Sequence, residues 1–222
     1  MAFTGWPAEA IDFYTGLEAD NSKAYWTEHR ETYEQAIKAP MMELSAEIEA
    51  EFGPLRIFRP YRDVRFSKDR SPYKTAMAAM TEGEGGEIYY VQVSAAGLLT
   101  GTGFFHMASD QLERHRAAID DERTGSEAAE IVDKLEGEGY TIGSIGELKT
   151  APRGYARDHP RVRLLRMKGL TTMRSFEPAP WLSTGRALTT ITDAWRRCAP
   201  LNAWLTKHVG ASRLAPPEAE AW

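Results

Sequence analysis

A hairpin pattern at the centre of the chain places the strongest constraint on its fold. The segment EIYYVQVSAAGLLTGTGFFH contains two runs rich in β-branched and aromatic residues, 87–94 and 98–106. A turn of small residues, Ala95–Gly97, joins them. Two such runs separated by a short turn predict a pair of antiparallel strands. Any fold proposed for this chain must therefore place a sheet in its middle.

The residues before the hairpin add further strands to this block. The segments LRIFRP and RDVRF are short and extended in character, and Thr75–Met80 predicts another strand. Pro60 interrupts the run and has no N–H for a strand ladder, so it predicts an edge, a bulge or a bend. If residues 57–66 formed one regular strand, their side chains would alternate between its two faces.

Apolar residues at helical spacing predict helices on both sides of the strand block. The predicted helices begin near Pro7, Asn21 (as an N-cap) and Pro40, and later near Ser109, Ser126, Asp158, Ser183 and Pro200. Helices, then strands, then helices indicate an α+β fold, not an alternating βαβ fold. We expect a mostly antiparallel sheet from the central segment, packed against N-terminal and C-terminal helices. The expected organisation is a single domain over 1–222, with helices about 7–52, strands about 55–106, mixed elements about 109–209 and a short tail.

Residue usage argues against several classes of protein. Cys198 is the single cysteine, which excludes an internal disulfide framework and a cysteine-based zinc site. The histidines show no metal-ligand spacing, so we expect neither a metal nor a cofactor. No basic and apolar leader opens the sequence, and no run of 18 apolar residues occurs in it. We therefore expect no membrane association and a cytoplasmic location.

Positive charge is concentrated in two segments of an acidic chain. The net charge is −5, from 27 Lys and Arg against 32 Asp and Glu. Residues 56–74 and residues 153–168 each carry a net charge of +5, which leaves −15 for the remainder. An acidic background argues against non-specific nucleic-acid binding, which needs a broad basic surface. Two local basic segments instead predict a site for a small anion.

The first basic segment, RPYRDVRFSKDRSPYK, combines features of an anion site. Arginine forms two parallel hydrogen bonds with a carboxylate or phosphate, so repeated arginine suits planar anions. Flanking arginines would keep Asp63 ionised, either as a base or as a brace. Tyr73 follows Pro72 and could donate a proton to a bound anion. The alternative is purely structural: Arg62, Asp63 and Arg65 would form a buried ion-pair network.

The second basic segment contains a candidate proton carrier. His159 lies between Asp158 and Pro160, and it either transfers protons near pH 7 or is a solvent-exposed residue at a helix start. If the two segments form one site, they should converge on one concave pocket. The candidate catalytic residues are Asp63, Tyr73 and His159. The candidate ligand-binding residues are Arg59, Arg62, Arg65, Arg70, Lys74 and Arg153.

The chain also resembles an uncharacterised bacterial and fungal family, the domain of unknown function DUF2461. The resemblance rests on Arg59-x-x-Arg62-Asp63-x-Arg65-Phe66 followed by Asp69, Arg70 and Tyr73. It extends to NSKAYWTEHRETYEQAIKAP, LLTGTGFF and PRGYARDHPRVRLLRMKG, and so covers most of the chain. The family more often has Lys in place of Arg70 and a second Asn in place of Ser22. The resemblance implies membership and no particular activity.

The function that the sequence favours is binding of a small ligand bearing phosphate or carboxylate through this Arg/Asp/Tyr cluster. The sequence leaves open whether the protein is also an enzyme. One alternative is a non-catalytic module that contacts an acidic protein or a nucleic acid. The other alternative is the purely structural role of the Arg/Asp cluster. The sequence does not determine the oligomeric state.

Overall fold

Helices lie at both ends of the chain and strands at its centre, which confirms the α+β fold. The computed structural model describes residues 2–63, 70–81, 83 and 86–214. The helices are α1 (Ala8–Ala19), α2 (Lys23–Glu28), α3 (Arg30–Thr32), α4 (Ala39–Phe52), α5 (Ser109–Asp120), α6 (Glu122–Gly137), α7 (Val162–Arg166), α8 (Arg186–Arg197) and α9 (Ala199–His208). A π-helical segment, Tyr33–Lys38, connects α3 to α4, and a 3₁₀ turn spans Pro180–Ser183.

The described residues include a six-stranded antiparallel sheet. Its strands are β1 (Leu55–Ile57), β2 (Ala76–Thr81), β3 (Ile88–Ser94), β4 (Gly97–Phe104), β5 (Thr141–Gly143) and β6 (Leu170–Phe176). Their order is β1-β2-β3-β4-β6-β5. The predicted hairpin is confirmed as β3 and β4, which are neighbours in the sheet. Strand β6 was not predicted from the sequence.

The residues of the chain form two compact units. The first contains Met1–Glu82, Tyr89–Thr100 and Ser175–Trp195, and the second contains Gly83–Ile88, Gly101–Arg174 and Arg196–Trp222. The expectation of a single domain stays a prediction. Each unit has its own group of buried apolar residues and is described by itself.

Aromatic residues dominate the core of the first unit. Trp6, Phe13, Tyr14 and Trp195 are almost completely buried there. Helix α4 adds an apolar stripe at helical spacing, comprising Met41, Leu44, Ile48 and Phe52. Gly53 ends α4 at a φ of 84°, a left-handed conformation that glycine adopts without steric cost.

The core of the second unit lies between helices and the strands of that unit. Phe104, Leu165, Leu201 and Trp204 are among its buried residues. The glycines of β4 allow the neighbouring strand to approach closely, because a side chain at Gly103 would collide with the carbonyl oxygen of Leu170.

Several helices begin one to four residues away from their predicted starts. Ser22, not Asn21, caps α2, because its hydroxyl accepts a hydrogen bond from the Tyr25 N–H at 3.2 Å. Helix α6 starts after Asp121 and not at Ser126, since the Asp121 side chain accepts from the Thr124 N–H. Helix α5 contains Ser109 as its first residue. In α2 and α6 a second polar residue nearby took the capping position.

Candidate functional site

The arginine-rich stretch folds back on itself and is not one regular strand. Strand β1 ends at Ile57, so residues 57–63 do not continue it as one regular strand, and residues 64–66 of the same stretch lie outside the described residues. An isolated antiparallel bridge pairs Tyr61 with Tyr73. Around it, the Arg62 N–H donates to the Pro72 carbonyl oxygen at 2.9 Å, and the Lys74 N–H donates to that of Pro60 at 2.8 Å. Proline has no backbone N–H and can take part in backbone hydrogen bonds only as an acceptor, and both Pro60 and Pro72 accept one here.

Asn21 fixes the other side of this fold-back. Its Nδ2 donates to the Tyr73 carbonyl oxygen and its Oδ1 accepts from the Tyr73 N–H, both at 3.1 Å. The Tyr73 ring then stacks on Trp26, with ring centres 4.2 Å apart and planes 6° apart. The stretch that carries the candidate ligand-binding residues is thus held by hydrogen bonds to Asn21, just before α2, and by an aromatic stack on Trp26 within α2.

Tyr73 forms part of the core, while Tyr61 faces solvent. Tyr73 is buried, and Tyr61 is 51% exposed. Burial, and secondarily the neighbouring Tyr61 hydroxyl, raises the pKa of Tyr73 above its ordinary value. A higher pKa makes Tyr73 a weaker proton donor, so these contacts favour a packing role for it. Its role in proton transfer stays a prediction.

A cleft of about 360 Å³ opens beside this stretch in the first unit. The π-helical segment and the residues just before it form one wall with Trp26, Arg30, Tyr33, Glu34 and Lys38. The opposite wall is formed by Ile57, Phe58, Arg59, Pro60 and Tyr61. The cleft therefore combines aromatic surfaces with cationic groups on both sides.

The cations of the cleft differ in how they are compensated. Lys38 pairs with Glu34 at 2.7 Å, one turn away along the π-helical segment. Arg30 and Arg59 are both exposed. Sequence reasoning predicted Arg59 and missed Arg30 and Lys38. Both lie within NSKAYWTEHRETYEQAIKAP, but only the path of α3 and the π-helical segment brings them to the cleft.

Lys74 lies among positive charges next to this cleft. Its Nζ is 5.5 Å from the centre of the Phe58 ring, and the Arg56 guanidinium is also 5.5 Å from that ring. Burial, followed by repulsion from Arg59 and Arg62, lowers the pKa of Lys74. Among the described residues, neither Arg59 nor Lys74 forms an ion pair with a carboxylate.

The remaining candidates of the first segment lie towards solvent. Asp63 and Arg70 are exposed, and Arg62 is half-buried. Arg65 lies outside the described residues. A network of Arg62, Asp63 and Arg65 stays a prediction, because Arg65 is not described, and the exposure of Asp63 disfavours a fully desolvated pair at this carboxylate. At Asp63, the cluster of charged residues therefore lies on the protein surface.

His159, in the second unit, uses both ring nitrogens. Its Nδ1 accepts a hydrogen bond from the Arg161 N–H at 3.0 Å, so the proton of the neutral ring is on Nε2. Nε2 lies 3.3 Å from the Asp120 carboxylate. A ring engaged at both nitrogens favours a structural role, and proton transfer by His159 stays a prediction. Arg153, close by in sequence, is exposed.

The arginines that follow His159 bind groups within the second unit. Arg161 is buried and donates to the carbonyl oxygens of Ile119 and Asp120, at 2.8 and 3.1 Å. Arg163 forms a two-pronged pair with Glu136. Arg166 donates to the Leu148 carbonyl oxygen at 2.6 Å. Much of the charge of this segment is thus compensated by its own unit, unlike that of Arg59 and Lys74.

The two basic segments belong to different units. Arg59, Arg62, Tyr73 and Lys74 come together in the first unit, and His159 belongs to the second. Their convergence on one pocket stays a prediction. In the part of the chain that the structure describes, no group of three or more His, Cys, Asp or Glu side chains is placed to hold a metal ion. Within the same residues, no helix combines the length and apolarity needed to cross a bilayer.

Comparison with known proteins gives one match. The model of a family described as a conserved hypothetical protein (DUF2461) matches residues 9–204, which is most of the chain. No curated protein and no solved structure matches. The matched range includes the cleft, the fold-back and the second basic segment.

Proposed function

The chain belongs to the DUF2461 family, and we propose that it binds a small anion through Arg59, Arg62 and Lys74. The anion carries a phosphate or carboxylate group. The observation that carries this proposal is the charge around Lys74, whose ammonium group lies near two guanidinium groups and pairs with no carboxylate of the described residues. Like charges held together repel each other, and a bound anion offsets that repulsion.

The adjoining cleft supports a ligand larger than an inorganic ion. Arg59 lines it, and Trp26 and Tyr61 supply aromatic surface on its two walls. Aromatic side chains pack against apolar or planar groups, while arginine fixes an anionic group by paired hydrogen bonds. A small organic phosphate or carboxylate fits this combination better than sulfate or chloride does.

A catalytic role rests on less support than binding does. Asp63 is exposed next to Arg62 and is the remaining candidate base of the first segment. Tyr73 is buried against Trp26, and His159 is engaged at both ring nitrogens. We therefore propose binding first, with Asp63 as the residue to test if turnover is found.

The experiment is a thermal-shift titration with phosphate, citrate, sugar phosphates and nucleotides at constant ionic strength. A ligand present at 100 times its Kd adds about 2.7 kcal/mol of apparent stability, which moves the Tm measurably. Arg59→Met and Lys74→Met should reduce the shift at least about tenfold in apparent affinity, and Arg153→Met should leave it unchanged. The proposal would be contradicted if no anion raised the Tm, or if all three substitutions reduced the shift equally.

The exposure of Arg59, Tyr61 and Arg70 also favours a second candidate, a surface that contacts an acidic macromolecule. Tyrosine and arginine are enriched where proteins bind partners. The two candidates differ in their response to salt. For a polyanion, the logarithm of the binding constant falls steeply and linearly with the logarithm of the salt concentration. For a single small anion in a cleft, the same plot has a much smaller slope.

A further inference from the structure

Tyr33 brings an unpaired hydroxyl group to the cleft of the first unit. It lines the cleft although its side chain is almost completely buried, with 4% of the residue exposed. Within the residues that the structure describes, the Tyr33 hydroxyl forms no hydrogen bond. Buried polar groups in folded proteins nearly always have a hydrogen-bond partner. A molecule bound in the cleft would supply the partner that this hydroxyl lacks.

The Tyr33 hydroxyl also keeps its proton and lies near the opposite wall. Burial, followed by the nearby Glu34 and Tyr61 side chains, raises the pKa of Tyr33 above its ordinary value. The neutral phenol is therefore a hydrogen-bond donor at neutral pH. Because Tyr61 belongs to the other wall of the cleft, its effect on Tyr33 brings the two phenol groups close to each other across the cleft.

The aromatic surface of the cleft is held in place by ring contacts. Tyr73 covers one face of the Trp26 ring, with ring centres 4.2 Å apart and planes 6° apart. The Tyr33 ring lies 4.7 Å from the Trp26 ring and the Tyr61 ring lies 6.1 Å from it, both at 50°. Three neighbouring rings thus fix the position of Trp26. A surface that is already ordered loses little conformational entropy when a ligand binds.

Tyr61 differs from these neighbours because about half of it faces solvent. It is 51% exposed, whereas Trp26, Tyr33 and Tyr73 are each at most 6% exposed. Its ring packs against Tyr73 at 5.6 Å between ring centres, so one side is supported by the core and the rest stays accessible. An accessible, supported ring beside a cleft is a surface on which another planar ring can stack.

Arg30 and Arg59 place positive charge on both walls of the same cleft. Both are exposed, and within the described part of the chain neither forms an ion pair. The third cation of the cleft, Lys38, is already paired with Glu34 at 2.7 Å. A guanidinium group binds a phosphate or carboxylate through two parallel hydrogen bonds. The two arginines therefore offer the cleft's uncompensated charge to an anionic group.

We propose that the cleft binds a small molecule in which a planar aromatic ring carries a phosphate or carboxylate group. The ring packs against Tyr61 and Trp26, and the anionic group pairs with Arg30 and Arg59. The Tyr33 hydroxyl donates a hydrogen bond to a polar atom of the ligand. The volume of about 360 Å³ lies within the usual range of small-molecule sites, roughly 300–1,000 Å³.

This inference rests on the proposed anion binding, because Arg59 belongs both to that cluster and to the cleft. It goes further by naming the class of ligand and by adding Arg30, Tyr33 and Tyr61 to the residues that bind it. Two sources share this chemistry, a mononucleotide and a simple aromatic acid or phosphate ester.

Isothermal titration calorimetry on the full chain at constant ionic strength tests the proposal. Adenosine monophosphate, phenyl phosphate and benzoate carry both a ring and an anionic group. Ribose 5-phosphate lacks the ring, and adenosine lacks the charge. The tightest of the first three should bind at least about tenfold more tightly than ribose 5-phosphate and than adenosine. Which of the three binds most tightly distinguishes the nucleotide from the simple aromatic anions.

Substitutions then assign the ring and the charge to their side chains. Tyr61→Leu should weaken the tightest ligand at least about fivefold and leave ribose 5-phosphate unchanged, while Tyr61→Phe, which keeps the ring, should retain the affinity. Tyr33→Phe removes only the hydroxyl and should cost about threefold to tenfold. Arg30→Met should weaken binding about tenfold, and Arg153→Met, an exposed arginine of the second unit, is the matched control. Urea unfolding verifies that each variant is folded.

The outcomes separate this inference from its premise. If ribose 5-phosphate binds as tightly as the ring-bearing anions and Tyr61→Leu changes nothing, the aromatic site is overturned and anion binding stands. The inference also fails if Tyr61→Phe loses as much affinity as Tyr61→Leu. If adenosine binds as tightly as adenosine monophosphate, or if no anion binds, the inference falls together with the proposed anion binding.

Discussion

Asn21 holds the main chain of Tyr73 through two hydrogen bonds of 3.1 Å, although 52 positions separate the two residues. The amide side chain thus acts as a strand neighbour would, offering one donor and one acceptor to a backbone that has no ladder partner on that side. The contact couples the arginine-rich fold-back to the N-terminal helices, and it makes Asn21 a residue of the site without touching the cleft.

Replacing Asn21 should therefore cost more than loss of a helix cap. Asn21→Ala leaves the N–H and the carbonyl of the buried Tyr73 without their partner, and we expect a loss of about 2 kcal/mol in the free energy of unfolding. Ser22→Ala is the matched control, since it removes only the cap of α2 and should cost about 1 kcal/mol. Urea unfolding measures both. Equal losses would mean that the contact with Tyr73 contributes little.

Removing the charge of Asp63 should leave the fold intact. The carboxylate is exposed, so Asp63→Asn is expected to change the free energy of unfolding by less than about 1 kcal/mol. A buried network would instead lose roughly 3–5 kcal/mol. Chemical denaturation distinguishes the two values clearly. A loss in the upper range would restore the structural interpretation of the arginine-rich stretch.

Arg161 should be the most sensitive arginine of the second basic segment. It is buried and donates to two carbonyl oxygens at the end of α5, and lysine cannot reproduce that forked geometry. We expect Arg161→Lys to lower the free energy of unfolding by about 3 kcal/mol. Arg163→Lys, on an exposed arginine paired with Glu136, should cost under about 1 kcal/mol. Similar midpoints in urea for the two variants would refute this ranking.

His115 should make the protein sensitive to acid. It is fully buried, and its Nε2–H donates to the Leu164 carbonyl oxygen at 3.2 Å. Burial lowers the pKa of His115 from 6.5 to about 4. Between these values the unfolded chain binds a proton that the folded chain does not, so stability falls as the pH falls from 6.5 towards 4. The full loss in the free energy of unfolding from this titration is roughly 3 kcal/mol.

His115→Gln isolates this contribution, because glutamine can still donate to the Leu164 carbonyl oxygen and does not titrate. The free energy of unfolding should therefore fall less steeply for the variant than for the parent between pH 7 and pH 4. The two proteins should show the same slope above pH 7, where His115 is neutral in both states. Parallel curves over the whole range would show that His115 does not carry the acid sensitivity.

The sequence was sufficient for the elements whose signal is local. The runs of β-branched and aromatic residues in β3 and β4 and the small turn between them predicted the hairpin, and apolar residues at helical spacing predicted α4. Strand β6 escaped because LTTMRSF has little aliphatic character and follows a short helix. Its identity as a strand comes from pairing with β5, where Ile142 faces Thr172, a contact that no local pattern reveals.

The sequence predicted part of the candidate site and missed the rest. The concentration of charge in residues 56–74 identified the fold-back and Arg59, because net charge can be counted without a structure. The Asn21–Tyr73 contact and the cleft wall that carries Arg30 and Lys38 bring together residues far apart in the sequence, so no local pattern reveals them. Asparagine does favour the N-cap position, but Ser22 caps α2, and the Asn21 side chain binds the main chain of Tyr73 instead.

The π-helical segment separates the shape of the cleft from the packing of α4. An α-helix advances by about 100° per residue, and a π-helical turn holds one more residue per hydrogen-bonded turn than an α-helical turn does. Deleting a single residue between Tyr33 and Lys38 would therefore return this turn to α-helical geometry and keep the register of α4 nearly unchanged. Met41, Leu44 and Ile48 would stay in the core, while the cleft wall that includes Tyr33 and Lys38 would change shape. A change in the length of this segment would thus alter the candidate ligand site without repacking the core.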